Sequence, residues 1–451
     1  MHQPPPGMKT FLVIWLGQLV SAVGSNLGGF ALGVWVYEQT KSATRFALVS
    51  FVGTVTILLL SPLAGTLADR WDRRRLIFLA DLGSALTTMA IAFLFYSGRM
   101  QLWMVYPFVL LMVTFLAFQG PALFASIPLL VGESQLARAS GMTQTSRAVA
   151  QILGPLAAGV LIARIGYSGV AFIDCVTYFV AVAAVLAVRI PSPPRLEQDA
   201  GRPSVLADLS FGWRYLRARR GLLALLALFA VTNLCMGMVQ VLLGPLILSF
   251  ATPVDLGTVD SVAAVGVLLG GLGVAIWGIP RHRVLGVLGV LAIQSVILFL
   301  GGARPSIPLI AIASFAFMLT VPVAMAANQT ILQSKIAPAV QGRVLAVSTM
   351  VSAGSLPLAV LAAGPLADRV FGPLLLPGGA LAATAVGRLL GTGPGRGVGL
   401  MFLCLGAAAL IAVGIAALNP RLRNLEREIP DALGSGETDA VPEPGSPAPP
   451  A

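Results

Sequence analysis

The sequence predicts an all-α integral membrane protein in which twelve transmembrane helices form two pseudo-symmetric halves of six helices each. Of the 451 residues, 57% are hydrophobic and only 10% are charged, whereas a soluble domain carries about 25% charged residues. The apolar residues lie in long runs, and about 20 of them are enough for one membrane crossing. A chain of this composition could not cover a water-facing surface, which argues against a soluble enzyme, a nucleic-acid-binding protein or a secreted disulfide scaffold.

Each predicted helix is an apolar run bounded by polar residues. The first run begins after Lys9 and stays apolar to Val36, which is too long for a cleaved signal peptide. Short, weakly polar turns separate the seventh, eighth and ninth helices. The predicted helices cover residues 11–37, 45–68, 74–96, 102–124, 142–164, 170–189, 222–250, 258–279, 283–301, 306–332, 340–366 and 397–418.

The distribution of Lys and Arg sets the expected orientation. If the N-terminus is cytoplasmic, 21 of the 29 Lys and Arg residues lie in cytoplasmic segments and 8 lie on the opposite side. Cytoplasmic loops are enriched in positive residues, so both termini of this multi-pass protein are expected in the cytoplasm and the protein in the cell inner membrane. An odd number of helices would lose this bias, which supports the even count.

The chain divides into two predicted halves, 1–189 and 222–420, joined by a central cytoplasmic loop, 190–221. A faint repeat relates the halves at an offset of 205 residues, where Ala157–Gly159 matches Ala362–Gly364. Transporters are often built from two such repeats, with the substrate between them near the middle of the membrane. The repeat therefore supports the division into halves.

Three segments lie outside the spans. Within the central loop, the apolar and basic stretch Leu209–Leu216 is expected to form a short helix on the anionic membrane surface. Residues 367–396 form a Gly- and Pro-rich external loop. Residues 421–451 are expected to be a disordered cytoplasmic tail, since from about 431 they are rich in Pro, Ala and acidic residues.

A charged motif follows the second predicted helix. Residues Gly65–Arg75 read Gly-Thr-Leu-Ala-Asp-Arg-Trp-Asp-Arg-Arg-Arg. This segment resembles the pattern Gly-x-Leu-Ala-Asp-Arg-x-Gly-Arg-Arg, which the major facilitator superfamily carries between its second and third helices. The sequence departs from the pattern at Asp72, where the family commonly has glycine.

The resemblance implies a conformational latch. A small residue at Gly65 would let another helix approach closely, and Asp69 can pair with Arg73 or face a helix N-terminus. In the family such a cluster holds the two halves together on the cytoplasmic side. The resemblance thus assigns Gly65, Asp69, Arg70 and Arg73 to a latch that faces the start of the eleventh helix near Gln341–Arg343. The alternative is an ordinary positive loop, which the acidic residue argues against.

The fifth predicted helix carries Ala150–Gly159, with the sequence Ala-Gln-Ile-Leu-Gly-Pro-Leu-Ala-Ala-Gly. It is similar to the antiporter motif Gly-x-x-x-Gly-Pro-x-x-Gly-Gly of the same superfamily. Pro155 removes one backbone hydrogen bond and permits a bend, and Gly154 and Gly159 would let helices pack tightly between the halves. The motif favours an exporter, although generic packing of a helix containing Gly and Pro gives the same pattern.

Other segments resemble one branch of the superfamily in particular. The order and spacing of Gln119–Ala122, Asn328–Thr330 and Ala363–Arg369 look like the drug:proton antiporter branch, which includes the enterobactin exporter and bacterial macrolide and multidrug efflux pumps. The resemblance extends to about residue 428. Many proton antiporters of the family have an arginine in the fourth helix where this chain has Leu116, which leaves proton coupling open.

Two carboxyl groups within the predicted spans are candidates for proton coupling, because a charge there is costly. Asp81 lies about 9 Å into the third helix, where it could carry a proton or pair with the arginine cluster Arg73–Arg75. Asp174 lies near the outer end of the sixth helix, where pairing with a residue such as Arg164 is favoured over a role in transport.

Amide and hydroxyl side chains within the spans are candidates for the substrate cavity, although a single polar group more often joins two helices. The candidates are Gln18, Ser21, Asn233, Gln240, Gln294, Asn328 and Gln329.

Together these features predict a secondary-active transporter that exports amphipathic small molecules, such as drugs or macrolide-like compounds, by alternating access. The proton gradient is the expected energy source, with no cofactor. The sequence has no phosphate-cradling loop, zinc-binding helix motif or nucleophile elbow, so no enzyme activity and no catalytic residue are expected. Its three cysteines lie in apolar runs, which argues against a disulfide or metal site.

The expected partners are a small-molecule substrate and the lipid bilayer, with no nucleic acid, and the family norm implies a monomer. Two other functions stay open. One is a dedicated exporter of a siderophore or peptide natural product. The other, from a different class, is a non-transporting membrane scaffold, which would need a large folded soluble segment.

Overall fold

The computed structural model describes residues 7–188, 205–280 and 282–428. In these ranges the chain is helical, with short turns and no strand. The first half contains α1 (Met8–Thr40), α2 (Ala43–Arg70), α3 (Arg73–Tyr96), α4 (Leu102–Leu130) and α5 (Glu133–Ala187).

The second half follows a short connecting helix, α6. Its long helices alternate in direction as those of the first half do, and a folded connection joins α11 to α14. The elements are α6 (Val205–Ala218), α7 (Arg220–Leu248), α8 (Pro253–Trp277), α9 (Arg283–Gly301), α10 (Ile307–Lys335), α11 (Pro338–Pro365), a π-helical turn (Leu366–Phe371), α12 (Gly372–Leu374), α13 (Ala385–Leu390), α14 (Arg396–Leu418), α15 (Pro420–Arg423) and α16 (Leu425–Glu428).

The predicted count of twelve spans is confirmed. Eleven helices in the described part of the chain are long and apolar enough to cross a membrane. One of them, α5, has 55 residues, but Gly166 interrupts it with φ 69° and ψ −179°, a conformation that glycine adopts readily because it has no Cβ. This break divides α5 into two spans.

Most helices are longer than the apolar runs that predict them. The predicted fourth helix ends at residue 124, whereas α4 continues to Leu130 through Pro121 and Pro128. Inside a membrane, backbone groups have no water to bind, so helices persist to the interface and tolerate proline. The predicted fifth helix starts at 142, whereas α5 starts at Glu133.

The helices pack more extensively within each half than between the halves. In the first half α5 packs on α1 and α3, and α4 packs on α2 and α3. In the second half α10 packs on α8 and α9, while α14 packs on α9 and α7. Two contacts between halves dominate, α5 with α8 and α2 with α11. Large apolar side chains such as Phe93, Leu59 and Ile415 are exposed, as expected for a protein surrounded by lipid.

The central segment differs from its prediction. A helix forms, α6, but it is docked on the second half rather than lying only on the membrane surface. Leu216 is fully buried, and a Cβ added at Gly212 would lie 2.6 Å from the carbonyl oxygen of Arg343 in α11. Glycine at this position lets the two backbones meet. Residues 190–204 of the predicted loop lie outside the described residues.

The predicted external loop is folded, and the predicted tail is more ordered than expected. Between α11 and α14 the chain folds back on itself and buries Leu375 and Leu390. The tail predicted from residue 421 instead begins with α15 and α16, in which Leu422 and Leu425 are fully buried against the second half. Residues 429–451 lie outside the described part of the chain.

Candidate functional site

The two ends of the bundle differ in how closely the halves meet. We call the end that carries Gly65–Arg75 the latch end, and the opposite end, where α1 finishes at Thr40, the far end. Four helix ends lie at the far end. They are the starts of α2 and α8, the end of α11, and the end of the first span of α5, just before Gly166.

At the far end, α11 packs directly on the first turn of α2. The Asp368 carboxylate accepts hydrogen bonds from the hydroxyl of Ser42 (2.6 Å) and from the backbone amides of Ala43 (3.0 Å) and Thr44 (2.9 Å). The first amides of a helix have no partner within the helix. Asp368 therefore caps α2 from the opposite half of the molecule. A Cβ added at Gly364 would lie 3.0 Å from the amide nitrogen of Thr44, so only glycine permits this approach.

The predicted antiporter motif lies in the second contact between halves. A Cβ added at Gly159 would lie 2.7 Å from the carbonyl oxygen of Pro253, and one added at Gly257 would lie 2.9 Å from the carbonyl carbon of Pro155. Gly154 instead faces Asn26 of α1. The motif thus closes the far end with Pro155 and Gly159 and packs within its own half with Gly154.

One further hydrogen bond crosses the same contact. The hydroxyl of Ser261 in α8 donates to the carbonyl of Ile152 in α5 at 2.6 Å. Ser261 is one turn beyond Gly257, so polar and backbone contacts follow one face of α8.

At the latch end, one glycine from each half has open space around it. Among the described residues, no heavy atom lies within 4 Å of a Cβ added at Gly65 or at Gly342. The close helix approach expected at Gly65 is therefore absent in this conformation. Arg73 donates to the carbonyl of Ala125 in α4 at 2.7 Å, within its own half. The side chains of Asp69 and Arg70 lie outside what the structure describes, so their pairing stays a prediction.

Asp72, which departs from the family pattern, has a structural role. Its carboxylate accepts a hydrogen bond from the amide of Arg75 at 2.8 Å and caps α3. Asp is one of the residues preferred at the position just before the first residue of a helix.

A cavity of about 550 Å³ lies between the halves. The first half contributes Asn26, Gln151 and Pro155, and the second contributes residues of α7, α8, α9, α10 and α14. Most lining side chains are apolar, including Phe317 and Phe402. Ligand sites of this kind are mostly apolar clefts with a few placed polar groups.

Of the predicted cavity residues, Gln240 lines this space. Gln18 lines a different cavity, and Asn233, Asn328 and Gln329 line neither of the two. Gln294 donates to the hydroxyl of Thr320 at 3.0 Å and joins α9 to α10.

Sequence reasoning missed Asp260, the one charged side chain among those lining the cavity. In the described ranges, its carboxylate has no hydrogen-bond or ion-pair partner. The predicted eighth helix starts at residue 258, which placed this residue at an end, whereas α8 starts at Pro253. Asp260 is therefore two turns inside the helix. The signal was present, because a charge within an apolar run is costly and marks a candidate site.

Asp81 forms a small polar cluster in the first half. It is fully buried, and its carboxylate accepts hydrogen bonds from the amides of Gln18 (2.9 Å) and Gln119. The Gln119 amide also donates to Gln18 at 3.1 Å. No Lys or Arg forms an ion pair with Asp81 in the part of the chain described. The alternative of pairing with the arginine cluster is therefore wrong.

The Asp81 cluster adjoins a second cavity of about 210 Å³ between α1, α4 and α5. Gln18 and Gln119 line it, together with Leu116 and Arg147. The two amides thus separate a buried carboxyl from a space lined in part by a basic residue.

Asp174 does not pair with Arg164, so this expectation is wrong. Asp174 is buried, and one carboxylate oxygen, Oδ1, has no hydrogen-bond partner among the described residues. A Cβ added at Gly28 of α1 would lie 3.0 Å from the carboxyl carbon of Asp174. Arg164 is exposed. The turn at Gly166 separates the two residues, which lie on different spans.

Comparisons with known proteins agree with this architecture. A family model described as the Major Facilitator Superfamily matches residues 14–360. The chain is 28% identical over 369 residues to macrolide efflux protein A of Streptococcus pyogenes, covering 80% of this chain and 90% of that protein. It is 26% identical over 431 residues to multidrug efflux pump Tap of Mycolicibacterium fortuitum, covering 92% and 97%.

Solved structures share the fold. The crystal structure of a bacterial homolog to the human lysosomal transporter Spinster, inward-facing and unoccupied, aligns with a TM-score of 0.66 and 14% identity over 92% of this chain and 96% of that chain. The POT family transporter PepTSo aligns with a TM-score of 0.66 and 12% identity over 94% and 99%.

Proposed function

The chain belongs to the Major Facilitator Superfamily and is a membrane transporter rather than an enzyme, and we propose that it exports amphipathic small molecules such as drugs or macrolide-like compounds. The observation that carries this proposal is the cavity between the halves, about 550 Å³ in volume and lined by apolar residues with a few polar groups. Its volume lies in the range of about 300–1,000 Å³ that suits drug-sized ligands. The efflux proteins among its relatives support the direction of transport.

Transport would proceed by alternating access. The far end is closed by the contacts at Gly159 and Gly364 and by the Asp368 cap, while Gly65 at the latch end faces open space. Rocking of the halves would break the far-end contacts and bring Gly65, with Asp69, Arg70 and Arg73, against the second half. A ligand or proton that favours one arrangement shifts the balance between the two.

The proton gradient would supply the energy, with no cofactor, and Asp81 would carry the proton. Its two amide partners come from α1 and α4, so its charge state bears on three helices at once. Hydrogen bonds to an ionised carboxylate are stronger than those to a neutral one. Protonation would therefore loosen the cluster and let α1, α3 and α4 shift. Asp174 is a second candidate for the same role.

The orientation follows from charge. The predicted cytoplasmic segments, which include Gly65–Arg75 at the latch end, hold 21 of the 29 Lys and Arg residues, so both termini would be cytoplasmic in the cell inner membrane. The cavity would then be reached from the cytoplasm in this conformation. The functional unit would be a monomer in the bilayer.

Inside-out membrane vesicles test the proposal. With an imposed proton gradient, vesicles holding the protein should accumulate some compounds from a panel of macrolides, tetracyclines and lipophilic dyes, and should lose part of the gradient as they do. The Asp81→Asn variant should abolish gradient-driven accumulation. The matched variant Asp255→Asn should retain it, because the Asp255 carboxylate lies outside the cavity and caps the start of α8. Accumulation that is unchanged in Asp81→Asn would contradict proton coupling at this residue. Absence of accumulation for every amphipathic compound would contradict export.

A further inference from the structure

We propose that Asp260 is the recognition site for a positive charge on the substrate, so that the central cavity selects lipophilic cations over neutral or anionic compounds of the same size. The inference rests on the proposed function, which it deepens by naming a charge class of substrate. It depends on one observation. The Asp260 carboxylate faces a largely apolar cavity between the halves and has no partner among the described residues.

The first step is the charge balance of the cavity. Asp260 is the one charged side chain among the lining residues of this described space, and no Lys, Arg or His is among them. An ionised carboxylate removed from water is costly unless a cation pairs with it. An incoming ammonium or phosphonium group would provide that partner, and an anion would be repelled more strongly here than in water.

The second step is the remainder of the lining. Phe317 and Phe402 can offer aromatic surfaces to a cation. Met236 and Met318 are flexible and polarisable, so they adapt to different apolar shapes. The cavity thus combines one fixed charge with adaptable apolar walls, which suits a class of compounds rather than one compound.

The third step is the position of Asp260 on α8. It is three residues beyond Gly257, which packs on Pro155 of the other half, and it precedes Ser261, which binds Ile152. Residues three apart lie on neighbouring positions of one helix face. A cation held by Asp260 would lie beside the contact that closes the far end, so occupancy and closure are linked through the same helix face.

Asp260 is distinct from the buried carboxyl groups Asp81 and Asp174. Asp81 already has two amide donors, and Asp174 faces the small space beside Gly28. Neither lines the central cavity. Of these three carboxyl groups, Asp260 is the one that combines an unpartnered carboxylate with room for a drug-sized ligand.

Binding of two ions of matched shape tests this assignment. Tetraphenylphosphonium and tetraphenylborate differ in charge sign and share the same apolar shell. The full-length protein in nanodiscs of zwitterionic lipid should bind the cation in equilibrium dialysis above the level of empty nanodiscs, and should bind the anion at least about tenfold more weakly, which corresponds to about 1.4 kcal/mol. The Asp260→Asn variant should lose the same factor for the cation, whereas Asp260→Glu and the control Asp255→Asn should retain binding.

A measurement on the unmodified protein guards against a variant that fails to fold. A hydrophobic carbodiimide modifies carboxyl groups in apolar surroundings, and mass spectrometry locates the modified residue. Tetraphenylphosphonium should protect Asp260 and leave the modification of Asp81 and Asp174 unchanged. Equal cation binding by a folded Asp260→Asn variant, equal binding of both ions, or no protection of Asp260 would overturn the inference.

The outcomes separate this inference from the proposed function. Charge-selective binding at Asp260 without accumulation in vesicles would uphold the recognition site and refute export. Accumulation of amphipathic compounds by Asp260→Asn at the unmodified rate, regardless of their charge, would uphold export and refute the recognition site.

Discussion

Asp368 connects the two halves through the first turn of a helix. Its three hydrogen bonds reach Ser42, Ala43 and Thr44, which are more than 300 positions away in sequence. A negative group at a helix N-terminus also interacts favourably with the helix dipole. In any conformation in which the far end opens, these bonds must break and the start of α2 must find water instead. The carboxylate therefore favours the closed far end.

Replacing Asp368 with Ala should shift the molecule toward a far-end-open state. Loss of an N-cap costs about 1 kcal/mol, which corresponds to a change of about fivefold in a two-state population. Spin labels on Gln39 and Leu389, both exposed at the far end, would report the shift as a larger share of long distances. Because the labels attach to introduced cysteines, the exposed Cys404 must first be replaced, whereas Cys175 and Cys235 are buried.

The matched control is Asp255→Ala. Asp255 caps α8 in a capping box with Thr252 of the same helix, so its loss weakens a helix start without removing a hydrogen bond between halves. An equal shift in both variants would mean that Asp368 acts only through local helix stability.

The carboxyl groups also show what sequence could and could not predict at this scale. Asp81 could be singled out because it is charged within an apolar run, but its partners could not, since Gln18 and Gln119 lie on other helices. Asp260 could not be singled out in this way, because the apolar run predicts a helix start at residue 258, five residues after the start of α8. The sequence predicts a pair between Asp174 and Arg164 because both are near a membrane boundary, whereas the turn at Gly166 places them on different spans.

Four helices show how acidic side chains cap helix starts in this fold. Two helices are capped by a nearby acid, α3 by Asp72 and α8 by Asp255. The other two take an acid from a distant segment. Asp368 caps α2, and Glu426 of α16 accepts a hydrogen bond from the amide of Val284 in α9 at 2.9 Å. The loop before α9 lacks the aspartate that its first-half counterpart has, and α16 supplies the missing carboxylate.

Truncation of Glu426 to Ala should therefore destabilise the second half by about 1 kcal/mol without affecting substrate binding. Thermal unfolding in detergent should show a midpoint lower by a few degrees. The neighbouring exposed Glu428 offers a control, and Glu428→Ala should leave the midpoint unchanged. If the two variants unfold at the same temperature, the carboxylate of Glu426 does not stabilise α9.

The sequence predicts which helices form far better than it predicts where the short helices pack. Twelve spans follow from composition, because a membrane helix must satisfy its backbone internally over about 20 residues. The docking of α6 could not be predicted, since its Gly212 meets the backbone of α11 more than 130 residues later. The burial of Leu422 and Leu425 was missed for the same reason. Short amphipathic segments bind whichever surface the tertiary fold presents.

At the scale of the whole molecule, small residues define the two ends of a rocking motion. Gly159, Gly257 and Gly364 are in tight contact at the far end, whereas Gly65 and Gly342 are in open space at the latch end. Tightly packed interfaces are bistable rather than continuously deformable. If the halves alternate as proposed, the glycines that are free here are those that become crowded when the latch end closes.

This asymmetry predicts opposite effects for the same substitution at opposite ends. Gly364→Val should block closure of the far end, because extra atoms in a packed contact cost about 1–3 kcal/mol, and should populate the far-end-open state. Gly65→Val should instead block closure of the latch end and hold the conformation described here. Export should fall by about tenfold or more in both variants, for opposite reasons.

The spin-label pair at Gln39 and Leu389 distinguishes the two variants. Its distances should lengthen in Gly364→Val. In Gly65→Val they should stay short, even when substrate and a proton gradient are applied. Gly29→Val is the matched control, because Gly29 is exposed with no heavy atom within 4 Å of an added Cβ among the described residues, and it should export normally. Equal distance distributions in the Gly65 and Gly364 variants would contradict a rocking of rigid halves. Loss of export would then have to arise from local packing, because rigid halves that share one axis cannot respond identically to obstruction at opposite ends.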